Sequence, residues 1–389
     1  MIRFFLLLLI SVFLFNSIAF SSTPDTSRLR ISLITCGAGL QPWETFGHTA
    51  IRITDSIKGT DNVYNYGTFN GYDEEFLIKF TRGKLLYYLS SYPYRQFLLE
   101  YSEAGRSVAE QELRLPGAAK QALYEYLDWN ALEENRYYKY DFFYDNCATR
   151  IRDVFSRALG KQFQVGDVLP EERTLSFREI INQYFYRVHW QRFGVNILLG
   201  SKIDKIMTDA EIMFLPDYLQ EGILKSSYKG QKVSSDPVTI LPGFEAPKAG
   251  LNGPFFLMLF IALLTIGGLC FKKFSKVGSV MSFLVLLLTG LIGCFIIVMW
   301  LGTDHQACQN NFNLLWALPT NVIIAFSSKK NKDKYSLIGI LLIFVSLLLH
   351  LLQIQQLPIF ELSPFLLSLL FIYGMIYRKN KTNKFDGNV

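Results

Sequence analysis

Histidine and cysteine are scarce in this chain, whose 389 residues include 4 histidines and 5 cysteines. The polar region between residues 23 and 250 holds two of each, namely His48, His189, Cys36 and Cys147. These residues form no closely spaced set with acidic residues of the kind that binds zinc, so no metal site is expected. Two cysteines also limit this region to one internal disulfide bond, Cys36–Cys147, which composition alone leaves open.

Lysine and arginine are absent from two loops in the C-terminal third of the chain, 302–311 and 353–358. The loops separate apolar segments, which follow one another at 255–271, 277–301, 312–327, 335–352 and 359–377. Lysines cluster instead after the first, third and fifth segments. Because basic loops stay in the cytoplasm, this pattern predicts five transmembrane helices within 254–378 and a cytoplasmic basic tail, 379–389. A span needs about 20 apolar residues, and the third segment is short by that measure.

The first 22 residues are typical of a secretory signal peptide, with an apolar run over 4–15 and small residues near the end. An uncleaved anchor helix would export the following region equally well. An exported domain is expected over 23–230, and a linker rich in Gly, Pro, Ser and Lys over 231–253. Acidic and basic residues nearly balance in the exported region, so the formal charge of +6 reflects membrane topology and not nucleic-acid binding.

The exported region predicts an α+β domain, because short β-rich runs come early and helical patterns come later. The predicted strands are 28–35, 49–54, 62–66, 84–90 and 107–113. The predicted helices are 73–80, 93–103, 117–132 and 147–159, with further helical pieces between 177 and 225.

The best-specified helix, 147–159, begins with a cysteine. Asp145 or Asn146 is suited to cap it, and Gly160 is suited to end it. Its apolar residues repeat at helical spacing and define one buried face, which Cys147 shares. Since a helix N-terminus favours an anion, Cys147 is a candidate nucleophile, although a buried structural thiol fits the same position.

His48 opens a predicted strand and is the candidate base for Cys147, because a thiol needs a base to become a thiolate. A structural histidine fits this position too, and His189 has no comparable setting. A third polar group usually fixes the tautomer of such a histidine, and Asn65 on the next strand is the candidate. Cys36 is a secondary candidate, because it lies at the end of a strand shortly before His48; Glu44 and Asn146 are two more.

Several further residues are candidates for substrate binding. Arg150, one helical turn after Cys147, is suited to a lipid phosphate or to an ion pair with Asp153. The external loop carries Asp304 and His305, and ionisable residues at membrane depth are candidates for function by default. His350 and Glu361 lie near the outer ends of the fourth and fifth segments, where interfacial side chains are also common.

Four motifs resemble a known family: 34–37, 46–52, 64–69 and 145–153. A histidine on a strand followed later by Asn-Cys opening a helix resembles the circularly permuted branch of the NlpC/P60 papain-like superfamily, to which lecithin:retinol acyltransferase belongs. More closely, these motifs and the external-loop residues 303–305 and 313–316 resemble the Lnb-type lipoprotein N-acyltransferases of Bacteroidota. The resemblance covers nearly all of the mature chain, and it implies a permuted papain-like periplasmic domain on a transmembrane bundle in the bacterial inner membrane.

The resemblance also implies an activity. The enzyme would take a fatty acyl chain from a membrane phospholipid, hold it as a thioester on Cys147, and pass it to the α-amino group of the diacylglyceryl-cysteine of a lipoprotein. It implies Cys147, His48 and Asn65 as catalytic residues, Arg150, Tyr64, Asp304 and His305 at the substrates, and no cofactor. Two alternatives remain open at this point: a membrane-tethered cysteine peptidase or amidase acting on peptidoglycan, and a binding module without catalysis.

Overall fold

The computed structural model describes residues 28–169, 174–244, 248–327 and 332–386. The predicted signal peptide, 1–22, lies outside the described residues. The first part of the predicted basic tail continues the last helix, which ends at Asp386.

The N-terminal domain is organised around two antiparallel sheets. The strands are β1 Leu29–Cys36, β2 His48–Asp55, β3 Thr60–Phe69, β4 Leu86–Pro93, β5 Val108–Glu112, β6 Tyr137–Lys139, β7 Phe163–Gln164, β8 Ser227–Tyr228, β9 Gln231–Lys232 and β10 Val238–Leu241. The large sheet has seven strands in the order β10-β5-β1-β2-β3-β4-β6, and the small sheet has the order β7-β8-β9. The five strands predicted from sequence are confirmed as β1 to β5 within a few residues.

Helices cover both faces of the large sheet. They are α1 Phe76–Thr81, α2 Tyr94–Glu103, α3 Gly117–Asn130, α4 Cys147–Leu159, α5 Phe177–Tyr184, α6 His189–Leu198, α7 Asp209–Ile212 and α8 Pro216–Lys225. The four helices predicted individually are α1 to α4, and α4 has the predicted bounds.

Strand alternation divides the core of this domain between the two faces of the sheet. Leu33 of β1 and Ile51 of β2 pack with α3 and α4, whose apolar stripe includes Ile151. Ile34 and its neighbours pack on the other face, against α2. The predicted burial of α4 against β2 and β3 is therefore confirmed, and the N-terminus of α4 lies where these strands meet the edge of the core.

The predicted boundary of the domain at residue 230 falls too early. The strand β10, within the predicted linker 231–253, pairs with β5 and completes one edge of the large sheet. Its β-branched run Val238-Thr239-Ile240 favours an extended strand despite the glycine, proline and serine around it.

The C-terminal region is helical. Its helices are α9 Gly253–Cys270, α10 Ser275–Leu301, α11 Asn321–Phe326, α12 Asp333–Leu351 and α13 Ile359–Asp386. Among the described residues, four stretches are long and apolar enough to cross a membrane: Gly253–Cys270, Lys272–Leu301, Asp333–Leu351 and Ile359–Arg378. They correspond to the first, second, fourth and fifth predicted spans.

The third predicted span, 312–327, is not one continuous helix. It forms a 3-10 turn at Phe312–Leu315, a break at Pro319, and the short helix α11. Proline has no N–H to donate and clashes with the preceding helical turn, which favours a break in the helix at this point. Irregular backbone at membrane depth needs cover from protein, and here Trp316 and Ala317 are buried against α10.

Two glycines of α10 admit this broken segment. A Cβ atom added at Gly293 would lie 2.0 Å from the Ala317 carbonyl oxygen, and one at Gly290 would lie 2.4 Å from the Val322 nitrogen. The close approach lets the broken segment run along α10 as far as the ring contact between Phe326 and Phe283.

Candidate active site

His48 is held at the start of β2 by a tight turn. Gly47 has a φ of 76°, and a Cβ atom there would lie 2.5 Å from the Cys36 carbonyl oxygen, so this position favours glycine. The Nε2 atom of His48 donates a hydrogen bond to Oδ1 of Asn65 over 2.6 Å, and Nδ2 of Asn65 donates to the hydroxyl of Tyr92 over 3.2 Å. This arrangement fixes the ring and leaves Nδ1 for a second partner.

Cys147 is the first residue of α4, and its position depends on the cap before it. The Oδ1 atom of Asn146 accepts a hydrogen bond from the Thr149 backbone N–H over 2.9 Å, and the Asn146 backbone N–H donates to the Thr149 hydroxyl over 2.8 Å. The Nδ2 atom of Asn146 donates to the carbonyl oxygens of Phe142 and Phe214, each over 2.8 Å. These contacts use both N–H groups of the Asn146 side chain and bury it, so Asn146 holds the start of α4 in place before Cys147.

The imidazole of His48 and the thiol of Cys147 are in hydrogen-bonding contact. Burial acts against charge on both groups, but their attraction prevails: the pKa of Cys147 is lowered and the pKa of His48 is raised. The backbone N–H groups of Thr49 and Ala148 also donate to the sulfur and lower its pKa. The geometry therefore favours a thiolate–imidazolium pair at the N-terminus of α4.

Gly67 lies against both members of this pair. A Cβ atom at Gly67 would lie 3.7 Å from Cε1 of His48 and 4.0 Å from Cβ of Cys147. Its φ of 101° coincides with a break in the β3–β4 register between Tyr66 and Thr68. The irregularity bends the end of β3 around the site, in a backbone conformation that other residues adopt only with strain.

Cys36 is a second buried thiol next to the site. Cys36 lies opposite His48 in the antiparallel pairing of β1 and β2, and its thiol forms a hydrogen bond with the side chain of Tyr101. Burial raises the pKa of Cys36 to about 12, so this thiol stays protonated near neutral pH. Both Cys36 and Cys147 are free thiols, and the disulfide alternative is therefore not realised in the structure.

Tyr101 is a site residue that the sequence did not single out. Its ring stacks on the ring of His48, with centroids 6.5 Å apart and an angle of 13° between the planes. Tyr94, Phe97 and Tyr101 recur at helical spacing along α2, which predicts a packing stripe and gives no signal of a contact with His48.

Glu44 acts on the site through Arg106. The guanidinium of Arg106 lies 4.7 Å from the centre of the Tyr101 ring and donates from Nε to the Gly37 carbonyl over 3.0 Å. Glu44 accepts a hydrogen bond from Nη1 of Arg106 over 3.4 Å and caps its own 3-10 turn. These contacts fix the loop between β1 and β2, so Glu44 supports the placement of His48.

Two sequence comparisons identify the family. The model described as the Lnb N-terminal periplasmic domain matches residues 18–183, and the model described as the Lnb transmembrane domain matches residues 251–384. The chain belongs to the Lnb family. Comparisons with curated proteins and with solved structures find no match. The family assignment makes this chain a protein of the bacterial inner membrane with a periplasmic N-terminal domain, as the resemblance predicted.

Two predicted substrate-binding residues of this Lnb protein have partners within the periplasmic domain. Tyr64 is buried on the opposite sheet face from Asn65, and its hydroxyl bonds to Asp128 of α3. Arg150 forms a two-pronged ion pair with Asp145, including an Nη2–Oδ2 bond of 2.6 Å, and not the expected pair with Asp153. Because Tyr64 is buried in the core, contact between its side chain and a substrate is not favoured in this conformation.

Asp304 and His305 join the two domains of this Lnb protein. The Asp304 amide donates to the Arg82 carbonyl over 2.9 Å, and its carboxylate lies 3.3 Å from Nζ of Lys139. The ring of His305 donates from Nε2 to the carbonyl oxygens of Phe80 and Thr81, at 3.2 and 3.1 Å. In this conformation both side chains bind the periplasmic domain, and their role at a substrate stays a prediction.

Other contacts fix the two domains together on a different side. Glu361 at the start of α13 is buried and forms an ion pair with Arg192 of α6, while Asn252 donates to it over 3.0 Å. A cavity of about 410 Å³ adjoins this pair. His350 accepts a hydrogen bond at Nδ1 from the Leu357 amide over 3.1 Å. Glu361 is thus an interdomain contact, which explains its burial at a helix end.

Within the described ranges, no group of three or more histidine, cysteine or acidic residues is placed to hold a metal ion.

Proposed function

We propose that this protein is a lipoprotein N-acyltransferase that carries a fatty acyl chain on Cys147. The donor is a membrane phospholipid, and the acceptor is the α-amino group of the diacylglyceryl-cysteine at the start of a lipoprotein. The observation that carries the proposal is the contact between His48 and a Cys147 thiol of lowered pKa at the N-terminus of α4. Membership of the Lnb family supports the choice of substrates.

In the first half-reaction, His48 removes the thiol proton and the Cys147 thiolate attacks the ester carbonyl carbon of the phospholipid. A carbon–sulfur bond forms, and the carbonyl electrons move to oxygen. When the intermediate collapses, the bond to the glycerol oxygen breaks, and His48 returns the proton to that oxygen. The products are the acyl-enzyme thioester and a lysophospholipid.

The developing oxyanion needs hydrogen-bond donors. The N–H groups of Thr49 and Ala148 already converge on the sulfur, and the N-terminus of α4 adds a positive potential there. As the sulfur becomes a thioester and loses its charge, these donors become free for the oxyanion beside it. They are our candidates for the oxyanion hole.

In the second half-reaction, the uncharged amine of the lipoprotein attacks the thioester carbonyl. His48 accepts the amine proton and delivers it to the departing Cys147 sulfur, which leaves an amide and the original thiol. Water would compete with the amine for the thioester. The Cys147 side chain is only 9% exposed, so the surrounding protein limits the access of water.

Mass spectrometry tests this proposal directly. Purified protein given phospholipid without a lipoprotein should acquire a fatty acyl adduct on Cys147, and a diacylated lipopeptide should remove the adduct and become triacylated. Absence of the adduct, or its removal by water alone, would contradict the assigned activity. Release of peptides from purified peptidoglycan by the same protein would favour the peptidase alternative instead.

A further inference from the structure

A run of apolar side chains lies exposed on the periplasmic domain, at the end of the sheet that carries His48. It is the apolar segment 69–81, which includes the end of β3, the following turn and α1. Tyr72 is 98% exposed, Leu77 71% and Ile78 60%, and no side chain of α1 is buried. A soluble surface rarely leaves neighbouring apolar residues so open to water, so something is expected to cover them.

The segment is attached to the end of a membrane-spanning helix. Helix α10 ends at Leu301, and the next residues bond to the C-terminus of α1: Asp304 to Arg82 and His305 to Phe80 and Thr81. Gly83 lies close to the backbone of the same loop: a Cβ atom added at Gly83 would lie 3.2 Å from the His305 backbone nitrogen. The apolar segment is therefore held at the level where α10 leaves the bilayer.

The charges of the segment are arranged to suit an interface. Lys79 forms ion pairs with Asp73 over 2.8 Å and with Glu75 over 3.2 Å. Lys79 thereby offsets part of the negative charge of Asp73, Glu75 and the exposed Glu74, while Leu77, Ile78 and Phe80 are left on the surface. A short helix with charged residues at its start and an open apolar surface is suited to the boundary between headgroups and acyl chains.

The position of the segment connects the bilayer with the dyad. It begins two residues after Gly67, where an added Cβ atom would reach both His48 and Cys147. The β1–β2 loop at the same end of the sheet adds exposed Leu40 and Trp43. At the opposite end, the β2–β3 turn carries Ile57 as its exposed large apolar side chain, which is 68% exposed.

We propose that the apolar segment 69–81 inserts into the periplasmic leaflet of the membrane that the C-terminal helices span. The occupant of this surface is phospholipid, whose acyl chains cover the side chains of Leu77 and Ile78. Insertion brings the leaflet to the end of the sheet that carries the dyad, so that a donor acyl chain reaches Cys147 with little exposure to water. The insertion itself is independent of the acyl-transfer chemistry; its role in donor delivery rests on the proposed function.

A depth measurement tests the insertion. The parent protein is the full chain with Cys270 and Cys294, the exposed cysteines of the described residues, replaced by serine. The substitution Leu77→Cys is then introduced, and the new cysteine is labelled with an environment-sensitive fluorophore. In phospholipid nanodiscs the label should show blue-shifted emission and strong quenching by lipids with a nitroxide near the headgroup. The control is Ile57→Cys, which is similarly exposed but lies at the far end of the sheet and should be quenched several-fold less. The parent without an added cysteine corrects for labelling of buried thiols.

Equal, weak quenching at both positions would overturn the proposal. A blue-shifted label at position 77 that lipid nitroxides do not quench would overturn it as well, because a second copy or another protein segment would then cover the surface. Leu77→Asp should reduce acylation of Cys147 by membrane phospholipid several-fold relative to Ile57→Asp, and leave acylation by a water-soluble short-chain ester unchanged. If the unsubstituted parent forms no acyl adduct while position 77 is quenched, the proposed function fails and the insertion stands.

Discussion

Cys36 and His48 face each other directly across β1 and β2, yet the thiol whose pKa His48 lowers belongs to Cys147. The two thiols have opposite properties. Cys36 lies in an apolar layer against α2, and burial raises its pKa to about 12. Cys147 lies at a helix N-terminus beside the imidazole, where its pKa is lowered. The electrostatic environment, and not proximity along the strands, therefore makes Cys147 the proposed nucleophile.

Replacing either cysteine by serine should separate these roles. Cys147→Ser should remain folded and membrane-bound and should form no acyl adduct, because a serine hydroxyl is far less acidic than a thiol. Cys36→Ser, the matched control, should retain most of the adduct, since the thiol stays protonated and only contacts Tyr101. Intact-mass analysis after incubation with phospholipid measures both. An adduct in Cys147→Ser, or its loss in Cys36→Ser alone, would assign the nucleophile to Cys36.

Asn65 should set the pH at which Cys147 becomes reactive. Its hydrogen bond to Nε2 of His48 raises the pKa of the imidazole and so stabilises the imidazolium that favours the thiolate. In Asn65→Ala the imidazolium is less stable, the pKa of Cys147 rises, and the pH profile of its alkylation by iodoacetamide should move upward. Asn65→Asp, which adds a negative charge at the same position, should move the profile downward. If the pH profile of alkylation in both variants is the same as in the unsubstituted protein, Asn65 is excluded as the orienting group.

Gly67→Ala should cost both stability and activity. The φ of 101° is strained for alanine, and a strained conformation of this kind costs about 1–3 kcal/mol. Since the added Cβ atom would lie 3.7 Å from Cε1 of His48 and 4.0 Å from Cβ of Cys147, relief of the strain would displace the dyad. Gly71→Ala is the control, because its φ is ordinary and its nearest neighbour is 3.9 Å away. Thermal unfolding of the detergent-solubilised protein should show a lower midpoint for Gly67→Ala only.

Asn146→Ala should destabilise α4 more than the loss of an ordinary cap. A helix cap contributes typically about 1 kcal/mol, which is the loss expected for Ser176→Ala at α5. Asn146 additionally bonds two carbonyl oxygens, of Phe142 and Phe214, and their unpaired burial adds about 1–3 kcal/mol. Denaturant unfolding compares the two variants. Equal losses would mean that water replaces the side-chain amide at both carbonyls.

Local signals were sufficient to predict much of the fold and part of the site. Helix α4 has its predicted bounds, because Asn146 caps it and Gly160, with a φ of 64°, ends it. Both are nearest-neighbour effects that a sequence displays. The pairing of His48 with Asn65 was predictable as well, since adjacent strands bring alternate residues to one face.

Contacts between distant segments were not predictable in the same way. The 312–327 segment is apolar enough to suggest a helix, but Pro319 breaks it and Gly290 and Gly293 accommodate the irregular backbone. Asp304 and His305 are predicted to lie at a substrate, and no feature of the sequence indicated that they also bind Lys139 and the end of α1. Hydropathy and charge describe the preference of a segment for membrane or water, and they do not specify its packing partner.

The sequence by itself determined the two-domain organisation, the strands and helices around the dyad, and the choice of a cysteine and a histidine, because composition and periodicity act locally. Only the tertiary structure decided that Cys36 is buried in an apolar layer against α2. It also placed Tyr101 against His48 and brought the apolar segment 69–81 to the end of α10. These relations depend on sheet register, on burial and on interdomain hydrogen bonds, which arise only when segments far apart in the chain pack together.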